Sequence, residues 1–276
     1  MPELPEVETS RRGIEPHVKN RRIEQVVIRE HRLRWPIPEN LPALASGRKV
    51  NAVSRRGKYI LLELDRGSIL IHLGMSGSLR ICKPGTPPEK HDHIDIRVST
   101  PAGRQVKILR LRDPRRFGCV LWIEGETEQH RLLKALGPEP LSEDFSADYL
   151  WRQSRGRSSA VKSFIMNSHI VVGVGNIYAC EALFRARISP KRRAGNISLQ
   201  RYHRLVDEIR ATLSEAIDQG GTTLRDFTAE SGQPGYFKQK LLVYGRTGES
   251  CVICAQPVKQ ITQQGRSTFY CPHCQR

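Results

Sequence analysis

Between Arg22 and Ile123 the hydrophobic positions fall in short runs. They are Ile23–Arg29, Val50–Val53, Tyr59–Leu64, Ser68–Leu73, Leu79–Ile81, His93–Ser99, Val106–Leu111 and Cys119–Ile123. Gly, Pro and Asp punctuate them at the spacing of a sandwich or barrel. Ahead of these runs, residues from Pro2 to about Gly13 carry helical spacing. Leu136-Gly-Pro-Glu-Pro-Leu-Ser142 breaks any regular element. Beyond it the period changes to that of helices, predicted over Asp144–Gln153, Ser158–Met166, Gly175–Ala186, Leu199–Gln219 and Leu224–Phe227. Gly220-Gly221 ends the longest of them, and Ser231 to Gly235 has loop chemistry. The pattern predicts a β-rich first half, a helical second half and a short terminal appendage.

A chain of 276 residues with 38% hydrophobic content can build two domains with their own cores. No stretch approaches the ~18 apolar residues of a membrane span. Neither a secretory nor a transit segment is recognisable, so the expected location is the cytoplasm, with no membrane partner. Charge changes the picture most. Lys and Arg number 45 against 28 Asp and Glu, a formal net of +17. Such an excess opposes compaction unless a polyanion gains from it, and nucleic acid is the usual one. From Tyr149 to Cys180 the chain carries Arg152, Arg155, Arg157 and Lys162 and no acid; Cys251 to Arg276 is acid-free too. Separate acid-free runs suit a surface assembled against phosphates.

The terminal run holds Cys251-Val-Ile-Cys254 and Cys271-Pro-His-Cys274. Two such knuckles at this separation mark a four-thiolate structural zinc site with the intervening segment folded as a β-hairpin. Disulfides are the competing use, but the remaining cysteines (Cys82, Cys119 and Cys180) stand alone, and a reducing compartment favours metal. Four sulfurs complete the shell, leaving His273 outside it.

The other end opens Met1-Pro2-Glu3-Leu4-Pro5-Glu6. Removing Met1 exposes a secondary amine beside Glu3. A terminal amine titrates near ~7.7–8.0, so a usable fraction is neutral and nucleophilic at physiological pH. Attack of such an amine on a sugar carbon gives an iminium adduct. The same residues also suit a helix start, where proline and glutamate fit sterically and electrostatically.

Between the ends lie several glycine-flanked turns. Ser54-Arg-Arg-Gly-Lys58-Tyr59 reads as a phosphate-facing turn, and Ile71-His72-Leu-Gly-Met75-Ser-Gly-Ser78 ends a strand with a methionine at its tip. Asp113-Pro-Arg115-Arg116-Phe117-Gly118 carries two arginines and an aromatic. Met, Arg and Phe on two tips form a plausible wedge for a base stack. Gly173-Val-Gly175-Asn176 precedes a helix and suits either an anion or tight packing.

Together with Glu89-Lys-His91-Asp-His, Gln219-Gly-Gly-Thr-Thr-Leu224 and Pro234-Gly-Tyr-Phe237, these motifs closely resemble bacterial formamidopyrimidine-DNA glycosylases. The resemblance covers essentially the whole length. Glu3-Leu4-Pro5 favours this branch over the endonuclease VIII-like one, which removes mainly oxidised pyrimidines. It implies an α+β fold: an N-terminal catalytic β-sandwich with an N-terminal helix (1–135), a helix-two-turn-helix domain (136–240) and a zinc hairpin (241–276). It also implies a monomer that binds damaged double-stranded DNA, excises oxidised purines such as 8-oxoguanine and cuts the strand by β,δ-elimination. One structural Zn2+ would be held by Cys251, Cys254, Cys271 and Cys274.

By resemblance, Pro2 is the nucleophile, Glu3 the acid at the sugar or leaving group and Glu6 the carboxylate that orders the terminus. Lys58 serves proton transfer in β-elimination, and Arg266 grips a phosphate and serves δ-elimination. His72, His91 and Asn176 contact DNA, as does Arg115 while it fills the void with Met75 and Phe117. Arg157 stands where many relatives carry a DNA-contacting lysine; it keeps the charge and adds a fork. The segment from Gly220 to Phe237 matches the cover over the flipped base. A catalytically silent DNA-binding relative is the alternative from another class, and intact Pro2, Glu3 and Lys58 argue against it.

Overall fold

The computed structural model describes residues 2–100, 106–220 and 241–276. The chain divides into two compact units, one formed by residues up to Lys134, the other by 135–219 and the C-terminal segment. The helix expected at Leu224–Phe227 and the cover segment lie outside the described residues.

Among the described residues of the first unit, helix α1 (Leu4–Val18) precedes eight strands: β1 (Arg22–Ile28), β2 (Val50–Arg56), β3 (Tyr59–Leu64), β4 (Ser68–His72), β5 (Ser78–Cys82), β6 (Asp92–Ser99), β7 (Val106–Arg112) and β8 (Cys119–Ile123). They form two antiparallel four-stranded sheets, ordered β1-β6-β7-β5 and β2-β3-β4-β8. A strand sends alternate side chains to one face. Ile60, Leu62 and Leu64, with Ile69, Ile71 and Leu73, supply the core from one sheet; Ile94, Ile96, Val98, Leu109 and Leu111 supply it from the other. Two core pairs break the alternation, Ile23 with Val26 and Val50 with Val53. Register shifts between Ile23 and Gln25 and between Val50 and Ala52 account for both, since a bulge restores the inward face one residue late. Val7, Ile14 and Val18 of α1 join this core, completing the expected sandwich with its helix.

The opposite face of β6 and β7 holds buried charge. Asp95 stands directly across from Arg110, and both are 2% exposed. Arg110 makes two hydrogen bonds to Asp95, at 2.7 and 2.8 Å, and donates to the carbonyls of Thr86 and Pro87. Arg29 also reaches Asp95, and Arg80 pairs with Asp92 at 2.7 Å. Arg80 and Arg110 face each other across β5 and β7, a repulsive register that the two aspartates offset.

The second unit contains α3 (Ala147–Ser154), α4 (Val161–Ile165), α5 (Asn176–Arg185), α6 (Leu199–Asp218) and the hairpin β9 (Lys259–Gln263) to β10 (Arg266–Tyr270). Tyr202, Leu205, Val206, Ile209, Leu213 and Ala216 give α6 its buried stripe at helical spacing. Ser198 caps it by accepting from the Arg201 N–H. Buried Glu181 on α5 accepts the main-chain N–H groups of Leu242, Val243 and Tyr244 at 2.8 to 3.0 Å. The chain is thereby fixed just ahead of the zinc hairpin, where Val243, Val258 and Phe269 pack on Cys180 and Phe184.

Helix α1 runs past the expected Gly13 through Pro16, and α2 (Leu41–Ala45), inside a proline-rich stretch, has no counterpart in the expected elements. Helix α4 is shorter than its expected span. Among the described residues no helix is long and apolar enough to cross a membrane.

Burial alone would raise the Asp95 carboxyl pKa, but hydrogen bonds from Arg110 and Arg29 outweigh it and hold the group below its ordinary value. A lowered folded value stabilises above the unfolded value of ~3.9, and that stability is lost as pH falls through the folded one. Asp95→Asn should therefore destabilise most between about pH 5 and 7, by about 3–5 kcal/mol if Arg110 is left unpaired. The gap to wild type should narrow on acidification in urea unfolding curves. A gap independent of pH would mean that shape, not charge, is what Asp95 supplies.

Candidate active site and nucleic-acid interface

The beginning of α1 assembles the first group. Glu3, its N-cap, donates its main-chain N–H to Glu6 Oε2 at 2.8 Å, while the Glu3 carboxylate accepts from the Glu6 N–H. Pro2 is buried, and Glu3 and Glu6 are 2% and 0% exposed. Carboxylates so placed need donors, and the reciprocal cap and the positive helix end supply them. One turn on, Glu8 pairs with Arg11, Arg12 and Arg55, and Arg11 donates to the Val53 carbonyl. Hydrogen bonds from the arginines outweigh the upward effect of burial and hold the Glu8 carboxyl below its usual range. These contacts clamp the N-terminal helix onto β2.

Strand β2 ends in a two-residue turn, Gly57-Lys58, closed by the pairing of Arg56 with Tyr59. Gly57 takes φ 56° at the first turn position, which a side chain would disfavour. Lys58 is thus presented at a hairpin tip. Tyr59 pairs in register with His72 across β3 and β4, and their rings lie 4.9 Å apart. Burial, with the Lys58 and Arg34 cations, pushes the His72 imidazole down to about 4. The ring is neutral at physiological pH. Its Nδ1 accepts the Gly74 N–H at 3.0 Å, which leaves the proton on Nε2 as a neutral donor.

Two turns carry the exposed tips. Met75 is 37% exposed and Phe117 41%. The Arg115 guanidinium lies 5.1 Å from the centre of the Phe117 ring. His91, at φ 76°, sits in the loop before β6, and burial, Lys90 and His93 lower its pKa.

The second unit gathers Arg157, Asn176 and Arg266. Arg157 and Arg266 line a polar cavity of about 430 Å³ with Ser159, Lys162, Ser163 and Gln264. Arg266 opens β10 just after the turn residues Gln264 and Gly265, both at positive φ as a tight hairpin turn requires. Asn176, the first residue of α5, is oriented by Lys162, a residue the sequence marked only as part of a basic run. The Lys162 ammonium, 1% exposed, donates to Asn176 Oδ1, the Ser267 carbonyl and Thr268 Oγ1 at 2.5, 3.2 and 2.7 Å. Asn176 Nδ2 donates to the same Ser267 carbonyl. A cation without acceptors fixes the amide oxygen inward, so the donor end of Asn176 is defined.

The sulfurs of Cys251, Cys254, Cys271 and Cys274 all lie within 4.8 Å of one another, and the Cys254–Cys271 and Cys251–Cys274 pairs are 3.5 and 3.9 Å apart. A tetrahedral zinc with Zn–S of about 2.3 Å needs sulfurs about 3.8 Å apart. Main-chain N–H groups of Ile253 and Cys274 point at Cys251 and Cys271. The set fits one structural zinc. Of the lone cysteines, Cys119 is buried and its thiol is pushed up to about 12, so it acts as a small apolar residue.

Family models match three stretches: the formamidopyrimidine-DNA glycosylase N-terminal domain over residues 1–120, the H2TH domain of the same enzymes over 136–228, and the zinc finger found in FPG and IleRS over 248–276. The formamidopyrimidine-DNA glycosylase of Thioalkalivibrio sulfidiphilus is 60% identical over 276 residues, covering all of both chains. The MutM (Fpg) crystal structure from Thermus thermophilus superposes with a TM-score of 0.87 at 37% identity, covering 99% of this chain and 98% of that one. Lactococcus lactis Fpg in complex with DNA containing an abasic site gives 0.88 at 33% identity, with 99% of each chain covered. Matched in each region and across its full length, the chain belongs to the formamidopyrimidine-DNA glycosylase family.

Proposed function

We propose that Pro2, freed of Met1, is the nucleophile with which this DNA glycosylase for oxidised purines opens damaged duplex DNA. The carrying observation is the buried, reciprocally capped Glu3–Glu6 pair beside that residue. The lesion nucleotide leaves the stack at a cost of a few kcal/mol. The neutral Pro2 amine attacks C1′, the glycosidic bond breaks, and Glu3 delivers a proton to the sugar or departing base. The resulting iminium acidifies C2′. Loss of that proton, with Lys58 as its carrier, expels the 3′ phosphate. A second proton loss from the sugar expels the 5′ phosphate, with Arg266 on the departing group; water then hydrolyses the iminium, freeing the Pro2 amine and the sugar remnant, and a one-nucleotide gap remains.

His72, His91, Arg157 and Asn176 contact the DNA, and Met75, Arg115 and Phe117 fill the vacated stack. His72 does so as a neutral Nε2–H donor, and Arg157 as a cation. Cys251, Cys254, Cys271 and Cys274 would hold zinc in a structural role, since four sulfurs would leave no position for water. Its chemistry is to hold the hairpin that bears Arg266. One chain carries both the nucleophile and the phosphate grip, which supports a monomer working on DNA.

The nucleophile is tested by borohydride trapping on 8-oxoguanine duplex followed by peptide mapping. The adduct should lie on Pro2; DNA on Lys58 or any other lysine would overturn the assignment. Glu3→Gln should leave binding within a few-fold and slow base release by ~10²–10⁴, the usual range for general acid–base catalysis.

Cys254→Ala should release the metal and weaken DNA binding, with the salt slope falling by about one unit as the Arg266 phosphate contact is lost. A zinc-free protein with full incision activity would refute this role.

Phe117→Ala should slow single-turnover excision from duplex by roughly tenfold, the effect of withdrawing about 1–3 kcal/mol of stacking. Affinity for undamaged duplex should change much less. Equal losses in both would make Phe117 a packing residue only.

A further inference from the structure

The Met75 turn and the Arg115–Phe117 turn are far apart in sequence yet share one buried carboxylate. Asp113 is 0% exposed. Its Oδ1 accepts from Ser76 Oγ at 2.9 Å, and its Oδ2 accepts from the Gly118 N–H at 2.8 Å. Ser76 Oγ in turn accepts from the Arg115 N–H at 3.2 Å. The hydroxyl donates to one turn and accepts from the same turn, so its proton has a single place to go. Main-chain atoms of Asp113 extend the node. Its N–H donates to the His91 carbonyl, and its own carbonyl takes the Arg116 N–H and faces His93 Nε2 at 2.7 Å.

Around this node the two turns touch backbone to backbone. A Cβ on Gly74 (φ +62°) would fall 2.4 Å from the Phe117 carbonyl carbon, and one on Gly118 would fall 2.6 Å from the His72 carbonyl oxygen. No side chain can be interposed, and no sliding is possible without breaking a hydrogen bond to a buried charge. Such bonds are the strong ones, and leaving a partner unmet adds its desolvation cost. The exposed side chains are therefore carried by a body that has one arrangement.

We infer that Asp113, acting through Ser76, is a positioning residue that locks the Met75 tip and the Arg115–Phe117 tip into one wedge. Both residues are buried, so they act through the tips they hold. Their effect is cooperative entry, so a wedge that has lost one tip cannot use the other at full value. This inference rests on the reading that these tips enter the stack, and its test separates the two.

Single-turnover excision of 8-oxoguanine from duplex is measured for Met75→Ala, Phe117→Ala and the pair. In the native chain the pair should fall short of the product of the two single losses by about fivefold or more. In a Ser76→Ala background the losses should multiply to within about twofold. Multiplicative losses in the native chain would overturn the inference. Coupling that persists without the Ser76 hydroxyl would also overturn it, by assigning the effect to direct contact between the tips. If neither single substitution slows excision, the wedge reading itself fails. Should Ser76→Ala not fold, Asp113→Asn, which keeps the shape and removes the charge, replaces it as the background.

Discussion

A main-chain N–H buried where a helix or strand stops must find an acceptor, and in this protein a carboxylate repeatedly supplies it. Glu6 takes the N–H of Glu3, Asp92 that of Glu89, Asp113 that of Gly118, and Glu181 those of three successive residues ahead of the zinc hairpin. Each lies next to a segment that carries candidate chemistry. Hydrogen bonds to charged groups contribute roughly 1.5–3 kcal/mol, against about 1 for neutral pairs, so these few contacts decide the local backbone course. The choice also shapes the outside. With 28 acids against 45 bases, each acid turned inward leaves the accessible surface more basic than the formal net of +17 suggests.

Around Asn176 the logic is inverted. There a buried cation, Lys162, collects three oxygens and joins α4, α5 and β10. An isolated buried ammonium would be expensive, and the three acceptors are what permit it. Ser267 and Thr268 belong to the hairpin whose Cys251 and Cys271 pack with Cys180 and Phe184 of α5, and Lys162 also lines the polar cavity. Arg266 stands on the same hairpin, exposed.

The strands were legible because their signal is local. Tyr59–Leu64 and Cys119–Ile123 coincide with β3 and β8, where apolar residues, broken only by Glu63, run between turn residues. Bulges hid themselves, since Ile23 and Val26 share a face that strict alternation denies them. Helix α1 outran its expected end because packing of Ile14 and Val18 overrides Gly13 and Pro16. Of the site, the turns with glycine, cations and aromatics announced themselves, as did the paired cysteines. Asp113, Ser76 and Lys162 did not. Their partners lie 37 and 106 residues away, and an Asp before a Pro reads as ordinary turn chemistry until the fold brings Ser76 to it.

The meeting of the two glycine-framed turns has a consequence for how this surface can change. Contacts that hold the frame are made by backbone atoms, by Ser76 and by Asp113, while the side chains of Met75, Arg115 and Phe117 are exposed. The hydrogen bonds of the frame are thereby made without the side chains of the tips. Side chains of different size or polarity can be tried at these three positions without removing a hydrogen bond of the frame, whereas Gly74 and Gly118 admit no replacement. The architecture separates a fixed mount from an interchangeable bit, and divergence in what is probed within the duplex can proceed on the second without endangering the first.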